Sequence, residues 1–160
     1  MMTALEKEPM KNEAKDEARR VLFVCTGNTC RSPMAAALFA ALAKNAGKEN
    51  VVATSAGLFA QEGAPMSVGA THALETLGVA VPAHAARNVS EEIVEGADVI
   101  VGLSASHAMQ LMLRYPFAAT KIMTLPMDIA DPYGADDATY LACAEQILLG
   151  VQLAFFGGEA

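Results

Sequence analysis

The chain has 160 residues, 53% of them hydrophobic and 18% charged, with a formal net charge of −7. That size and composition predict one folded domain and exclude a disordered chain. The acidic balance argues against a nucleic-acid partner, which would want a basic face, and against docking on an anionic membrane.

Residues 1–20 stand apart, because ten of the twenty are charged, five of each sign. They read as a frayed or loosely helical extension ahead of a single domain over residues 21–160. The extension holds no apolar stretch of the kind a secretory signal needs. Later apolar runs read as too short to cross a bilayer.

From residue 21 onward, strand-like and helix-like segments alternate. Residues 21–25 form a continuous apolar run, as in a strand covered on both faces. Ser32 and Pro33 follow as a good cap and first helical residue for a helix over 34–46. A second strand is predicted over 51–55 and a helix over 67–77, stopped by Gly78. A short helix over 90–96 carries Glu91 and Glu92 in its first turn, where negative charge suits the dipole. A third strand over 97–103 leads to a helix over 106–115 that stops before Pro116. A fourth strand over 121–125 precedes a long closing helix over 136–156. Alternation of this kind implies crossover connections and a parallel sheet. The fold class is therefore α/β, a three-layer arrangement with a four-stranded parallel sheet and helices on both faces.

The chemistry concentrates where the first strand meets the first helix, in Cys25-Thr26-Gly27-Asn28-Thr29-Cys30-Arg31-Ser32. A helix N-terminus offers unpaired N–H groups and the positive end of the dipole. Gly27 permits a tight turn, and Asn28 tolerates a left-handed conformation. Consecutive N–H groups in such a turn make an anion nest, so Thr26 to Ser32 read as a phosphate-binding loop. The positive field favours the Cys25 thiolate, which is the nucleophile. Arg31 suits bidentate binding of phosphate oxygens, which Lys cannot match. Ser32 is placed to hydrogen-bond the thiolate. The plain alternative is a buried strand-end thiol, a surface arginine and an ordinary cap; the combined spacing favours the catalytic reading.

Phosphoryl transfer to a thiolate needs a proton for the leaving group. Loops that leave the C-terminal ends of parallel strands share one edge. Asp128, Asp131, Asp136 and Asp137 follow the fourth strand onto that edge, whereas Asp98 begins the third strand and faces the other. Asp131 is the chosen acid, with Asp128 in reserve. Pro132 biases Asp131 toward extended backbone, and Gly134 allows a turn beyond it. Asp136 and Asp137 look like the cap region of the last helix. Tyr133 is a candidate aromatic wall for the pocket. Phe59 either lines the pocket with it or packs as core or lid. Cys143 lies within the last helix and reads as core. His72, His84 and His107 show no metal-ligand spacing with a carboxylate and read as structural or solvent-facing. Arg87 reads as a tie between its loop and a carboxylate. The chemistry calls for no cofactor and no metal. Three cysteines, two of them five apart in one loop, point to a reducing compartment, and the expected location is cytoplasmic.

CTGNTCRSPMA, the later DPYG and SAG at residues 55–57 together resemble the low-molecular-weight protein tyrosine phosphatase family, from about residue 21 to the C-terminus. The resemblance implies that Cys25 forms a phosphocysteine intermediate and that Arg31 binds phosphate and stabilises the transition state. It implies Asp131 as general acid and then general base. It also implies that Cys30 closes a reversible disulfide with Cys25, a means of redox regulation. Tyrosine phosphatases of the family commonly carry a bulky aliphatic residue where this chain has Thr29. Thr there resembles the protein arginine phosphatase branch, in which its hydroxyl helps to position water and favours phosphoarginine. The expected activity is protein arginine phosphatase, with a protein tyrosine phosphatase as the alternative. An arsenate reductase or a non-catalytic phosphate-binding module fits less well. The partner is a phosphorylated protein substrate, and a monomer is expected.

Overall fold

The fold is that of a computed structural model, which describes residues 19–157. Four strands form one parallel sheet in the order β2-β1-β3-β4: β1 (Arg19–Cys25), β2 (Val51–Gly57), β3 (Val99–Gly102) and β4 (Ile122–Thr124). Between and after them run α1 (Arg31–Asn45), α2 (Val68–Thr76), α3 (Glu91–Gly96), α4 (Ala105–Arg114) and α5 (Asp137–Phe155). The α/β class and the four-stranded parallel sheet are as the alternating pattern implied.

The apolar run of β1 is continuous because both of its faces are covered. Val21 and Phe23 belong to a core with Leu38 of α1, Leu74 of α2 and Ile147 of α5. Leu22 and Val24 point the other way, into a core with Val94, Ile100 and Leu111. Each such fully buried side chain contributes about 1.5–3 kcal/mol relative to exposure. Phe23 also meets Phe39 and Phe155 in tilted and edge-on contacts at 5.8 and 6.5 Å.

The chain steps from β1 outward to β2, then returns across β1 to β3 on its other side. That reversal opens a crevice at the C-terminal ends of β1 and β3, the place where open parallel sheets take ligands. Cys25 is the last residue of β1 and stands at this point.

Several boundaries differ from expectation. Arg19 and Arg20 continue β1 and pair with Val51 and Val52, so the extension expected over 1–20 is shorter. The rest of it, residues 1–18, lies outside the described residues. Helix α1 begins at Arg31, with Cys30 at the cap position and no side-chain cap bond. Ser32 is thus inside the helix rather than capping it, and its hydroxyl lies 3.0 Å from Cys25 Sγ. The cap expected at Asp136 or Asp137 forms at Asp136, and Ser67 and Ser90 cap their helices in the same way, each side chain accepting a backbone N–H from three residues on. Residues 116–121, given no helical reading, form a 3₁₀ turn that carries Pro116 at its start.

Helix α5 spans 19 residues and is long and apolar enough, by length and composition alone, to cross a membrane, against the expectation of shorter apolar runs. Its Tyr140, Ala144, Ile147 and Val151 are buried in the core it shares with α1 and α2, which accounts for its apolar character.

Candidate active site

The loop after β1 is held from outside by its carbonyls. The Leu58 and Phe59 N–H groups donate to the Cys25 and Thr26 carbonyls, both at 2.9 Å, and Ser67 N–H donates to the Thr29 carbonyl at 2.9 Å. His84 Nε2 bonds the Asn28 carbonyl at 2.6 Å. With these carbonyls drawn outward, the peptide planes leave their N–H groups for the concave side, as an anion nest requires.

Asn28 is the keystone of this turn. Its φ of 58° is left-handed, and it is the one non-glycine among the described residues with positive φ. Its buried side chain donates to Ser32 Oγ at 2.8 Å and to Ser55 Oγ at 2.9 Å, and its Oδ1 accepts the Arg87 N–H at 2.9 Å. Arg87 was expected to pair with a carboxylate. Its Nε donates instead to the Ser55 carbonyl at 3.0 Å, tying the same loop to β2. Gly57 explains the SAG run, since a Cβ there would stand 2.6 Å from the Thr26 carbonyl oxygen and 3.1 Å from Asn28 Cβ. The loop crosses β2 too closely for any side chain.

Cys25 Sγ lies 3.0 Å from Ser32 Oγ and 3.4 Å from the Ser32 N–H. Asn28 already donates to Ser32 Oγ, so the serine's one proton goes either to the sulfur or to the Ala56 carbonyl at 3.4 Å, and the sulfur is the nearer of the two. With the serine proton directed to the sulfur, the Ser32 hydroxyl and backbone N–H both face Sγ at the N-terminal end of α1.

Arg31 is almost fully buried, and its Nη1 donates to the Ile129 carbonyl at 2.9 Å. Its Nη2 stands 3.7 Å from Asp131 Oδ2. The guanidinium is therefore oriented from the β4–α5 loop. Asp131, half exposed, accepts the Tyr133 N–H at 3.1 Å in a local turn. Asp128, the reserve candidate, accepts the Ala105 N–H at 2.9 Å and so serves the start of α4. Asp136 caps α5, and its carboxyl is held below the ordinary range by its bonds to Thr139. Asp137 pairs with His72 at 2.9 Å, joining α5 to α2.

Cys25, Thr26, Gly27, Asn28, Thr29, Cys30 and Arg31 line one cleft of about 170 Å³ together with Asp131 and Tyr133. Tyr133 is 77% exposed at its mouth. Phe59 is not among the lining residues; its ring carries the Arg114 guanidinium at 4.8 Å. A larger groove of about 630 Å³ runs along the alanine face of α1, where Lys44 is the one ionisable lining group, so the chemistry lies in the smaller cleft.

All three cysteines are free and buried. Cys30 Sγ sits among hydroxyls, 3.3 Å from both Ser67 Oγ and Tyr140 OH and 3.7 Å from Thr29 Oγ1. Cys143 Sγ faces the Ala130 carbonyl at 3.8 Å, and burial pushes its thiol up to about 12.

Ser55, Gly57, His84 and Arg87 carry no site reading in the sequence beyond the SAG motif, because nothing local links them to Asn28 or Thr26; His107, near a helix start, is the one histidine the strand order lets approach the active edge. His107 proves to be buried and in contact with the loop, its Nε2 3.0 Å from Thr26 Oγ1.

The chain is similar to known proteins in both sequence and fold. The family profile described as "Low molecular weight phosphotyrosine protein phosphatase" matches residues 20–152. A relative from Geobacillus stearothermophilus named protein-arginine-phosphatase is 38% identical over 135 residues, covering 80% of this chain and 88% of the relative. Another of that name, from Bacillus subtilis, is 33% identical over 134 residues, covering 79% of this chain and 88% of the relative. The crystal structure of a low molecular weight protein tyrosine phosphatase from T. tengcongensis superposes with a TM-score of 0.79 at 42% identity, covering 84% of this chain and 96% of that one.

Proposed function

The chain belongs to the low molecular weight phosphotyrosine protein phosphatase family and is a cysteine-dependent protein phosphatase; within that family we propose that it hydrolyses phosphoarginine on proteins, through a phosphocysteine intermediate. The observation that carries the choice of substrate is Thr29, a hydroxyl-bearing residue among those that line the cleft. The naming of the two arginine-phosphatase relatives supports it.

In the first step the Cys25 thiolate attacks phosphorus. The S–P bond forms as the P–N bond to the guanidine breaks, and Asp131 gives its proton to the departing nitrogen. The loop N–H groups and Arg31 hold the three equatorial oxygens, where charge spreads in the transition state. Arg31 is ready for this because Ile129 fixes its other arm. In the second step Asp131 takes a proton from water, whose oxygen attacks the phosphocysteine. The S–P bond breaks, inorganic phosphate leaves and the thiolate returns. Thr29 lines the same cleft, and its hydroxyl is the group assigned to orient that water.

Phosphotyrosine is the second reading, favoured by the exposed Tyr133 ring at the mouth, against which a phenyl group could stack. An arsenate reductase relay needs a third reactive thiol, and Cys143, its thiol pushed up and its sulfur turned to the Ala130 carbonyl, does not fit that task. The free thiols suit a cytoplasmic location.

The deciding experiment compares kcat/KM on an arginine-phosphorylated protein and on a tyrosine-phosphorylated one, for the wild type and for Thr29→Ile. The wild type should prefer phosphoarginine, and the variant should move toward phosphotyrosine. A wild-type preference for phosphotyrosine would overturn the reading.

A further inference from the structure

His107 takes no part in the steps above, yet it is buried directly behind the loop that performs them. It lies in the first turn of α4 and is 3% exposed. Its Nε2 is 3.0 Å from Thr26 Oγ1, and its Nδ1 is 3.0 Å from Ser104 Oγ. Ser104 Oγ also accepts the His107 backbone N–H at 3.3 Å, as the cap of the helix.

One order of the protons satisfies all of these contacts and leaves a donor for the cleft. Ser104 Oγ has one proton of its own, and directing it to Nδ1 satisfies both atoms. Nε2 then carries the ring proton and donates it to Thr26 Oγ1. With that acceptor position filled, the Thr26 hydroxyl proton is left for the cleft that Thr26 lines. The opposite order would spend the Thr26 proton on Nε2 and turn oxygen lone pairs toward an incoming dianion, which repels it.

We propose that His107 is a positioning residue that acts through Thr26, turning the Thr26 hydroxyl toward a phosphoryl oxygen as a side-chain donor beside the loop amides. A chain of this kind needs a neutral imidazole, with one N–H and one bare nitrogen. Burial first, and then the Arg31 guanidinium, lower the His107 pKa to about 4, while Asp131 and Asp128 oppose that shift. The inference rests on the reading that the Cys25 loop binds a phosphoryl group, and is independent of arginine against tyrosine.

The test uses the full chain, p-nitrophenyl phosphate as substrate and inorganic phosphate as competitive inhibitor. Thr26→Val and His107→Leu should each raise the phosphate inhibition constant about tenfold, and the double variant should show no more than either alone. His107→Gln, which keeps an N–H donor, should recover much of the loss. In the phosphate-bound wild type, nitrogen NMR of the ring should show Nε2 protonated. An Nδ1-protonated ring, additive losses near a hundredfold, or an inhibition constant unmoved by Thr26→Val would each overturn the proposal. Thr26→Val leaves the buried ring in place, so it decides the matter even if His107→Leu fails to fold. A wild type that neither turns over the aryl phosphate nor binds phosphate would instead overturn the phosphatase reading itself.

Discussion

Asn28 donates its side-chain amide to Ser32 Oγ at 2.8 Å, and the serine proton then has two acceptors, Cys25 Sγ at 3.0 Å and the farther Ala56 carbonyl at 3.4 Å. The nucleophile's environment is thus set by a residue that never touches it. The same amide reaches Ser55 on β2, and the same carboxamide oxygen takes the Arg87 N–H, so one side chain ties three segments to the thiol.

Replacing Asn28 with glycine separates backbone from side chain, because glycine accepts the left-handed φ of 58° without strain. Asn28→Gly should lose the three side-chain bonds and leave the Arg87 N–H without its acceptor, a cost of about 1–3 kcal/mol in stability. The rate of phosphocysteine formation should fall as well, since Ser32 is no longer constrained. Denaturant unfolding and a single-turnover burst measure the two effects; an unchanged burst rate would contradict the assigned proton direction.

Gly57→Ala tests the crossing of the loop over β2. The new methyl would stand 2.6 Å from the Thr26 carbonyl oxygen, which is backbone and cannot swing aside. The loop must shift, and kcat/KM should drop by about tenfold or more, as small misplacements do at a preorganised site. Steady-state kinetics on p-nitrophenyl phosphate is the measurement.

Asp131→Asn should lower kcat by roughly 10²–10⁴-fold on substrates whose leaving group needs a proton. On an activated aryl phosphate, whose leaving group departs as an anion, the first step should be much less affected. Asp128→Asn should do little to chemistry, because Asp128 faces the Ala105 N–H at the start of α4. Equal losses for the two variants would remove Asp131 from the acid's role.

The lowered pKa of His107 has a consequence for stability. Its folded value of about 4 lies below the ordinary 6.5, so between those limits the unfolded chain binds a proton that the folded one does not. Stability should therefore be highest above pH 6.5 and decline as the pH falls toward 4. His107→Gln should flatten that part of the profile relative to wild type, as read by urea midpoints across the range. A steeper slope in the variant would contradict the neutral buried ring.

Cys30 Sγ is held among the hydroxyls of Ser67, Tyr140 and Thr29, next to the loop's first turn into α1. If it resolves an oxidised Cys25, the sulfenic acid and the Cys30 thiol condense to a disulfide and release water. Wild type treated with peroxide and then dithiothreitol should regain activity, whereas Cys30→Ala should be lost to further oxidation. Equal recovery of the two would exclude Cys30 from that protection.

What could be read from sequence alone was what neighbouring residues determine together. The left-handed turn at Asn28, the cap at Asp136 and the apolar run of β1 all depend on contacts within a few positions, where residue type and spacing govern conformation. The parallel sheet followed from the same local alternation, because crossover connections leave few other arrangements. The start of α1 differs by a residue or two: the helix begins at Arg31, ahead of the Ser32 expected to cap it, and the Ser32 hydroxyl meets the Cys25 sulfur instead.

The tertiary structure alone decided which distant groups converge on the loop. Ser55, His84 and Arg87 meet Asn28 from 27, 56 and 59 residues away, and His107 meets Thr26 from 81 residues away. Gly57 matters only because another strand's loop crosses above it. No periodicity encodes such meetings. They arise when strands align in register and bring separate turns to one edge, and there the site's hydrogen bonds are completed.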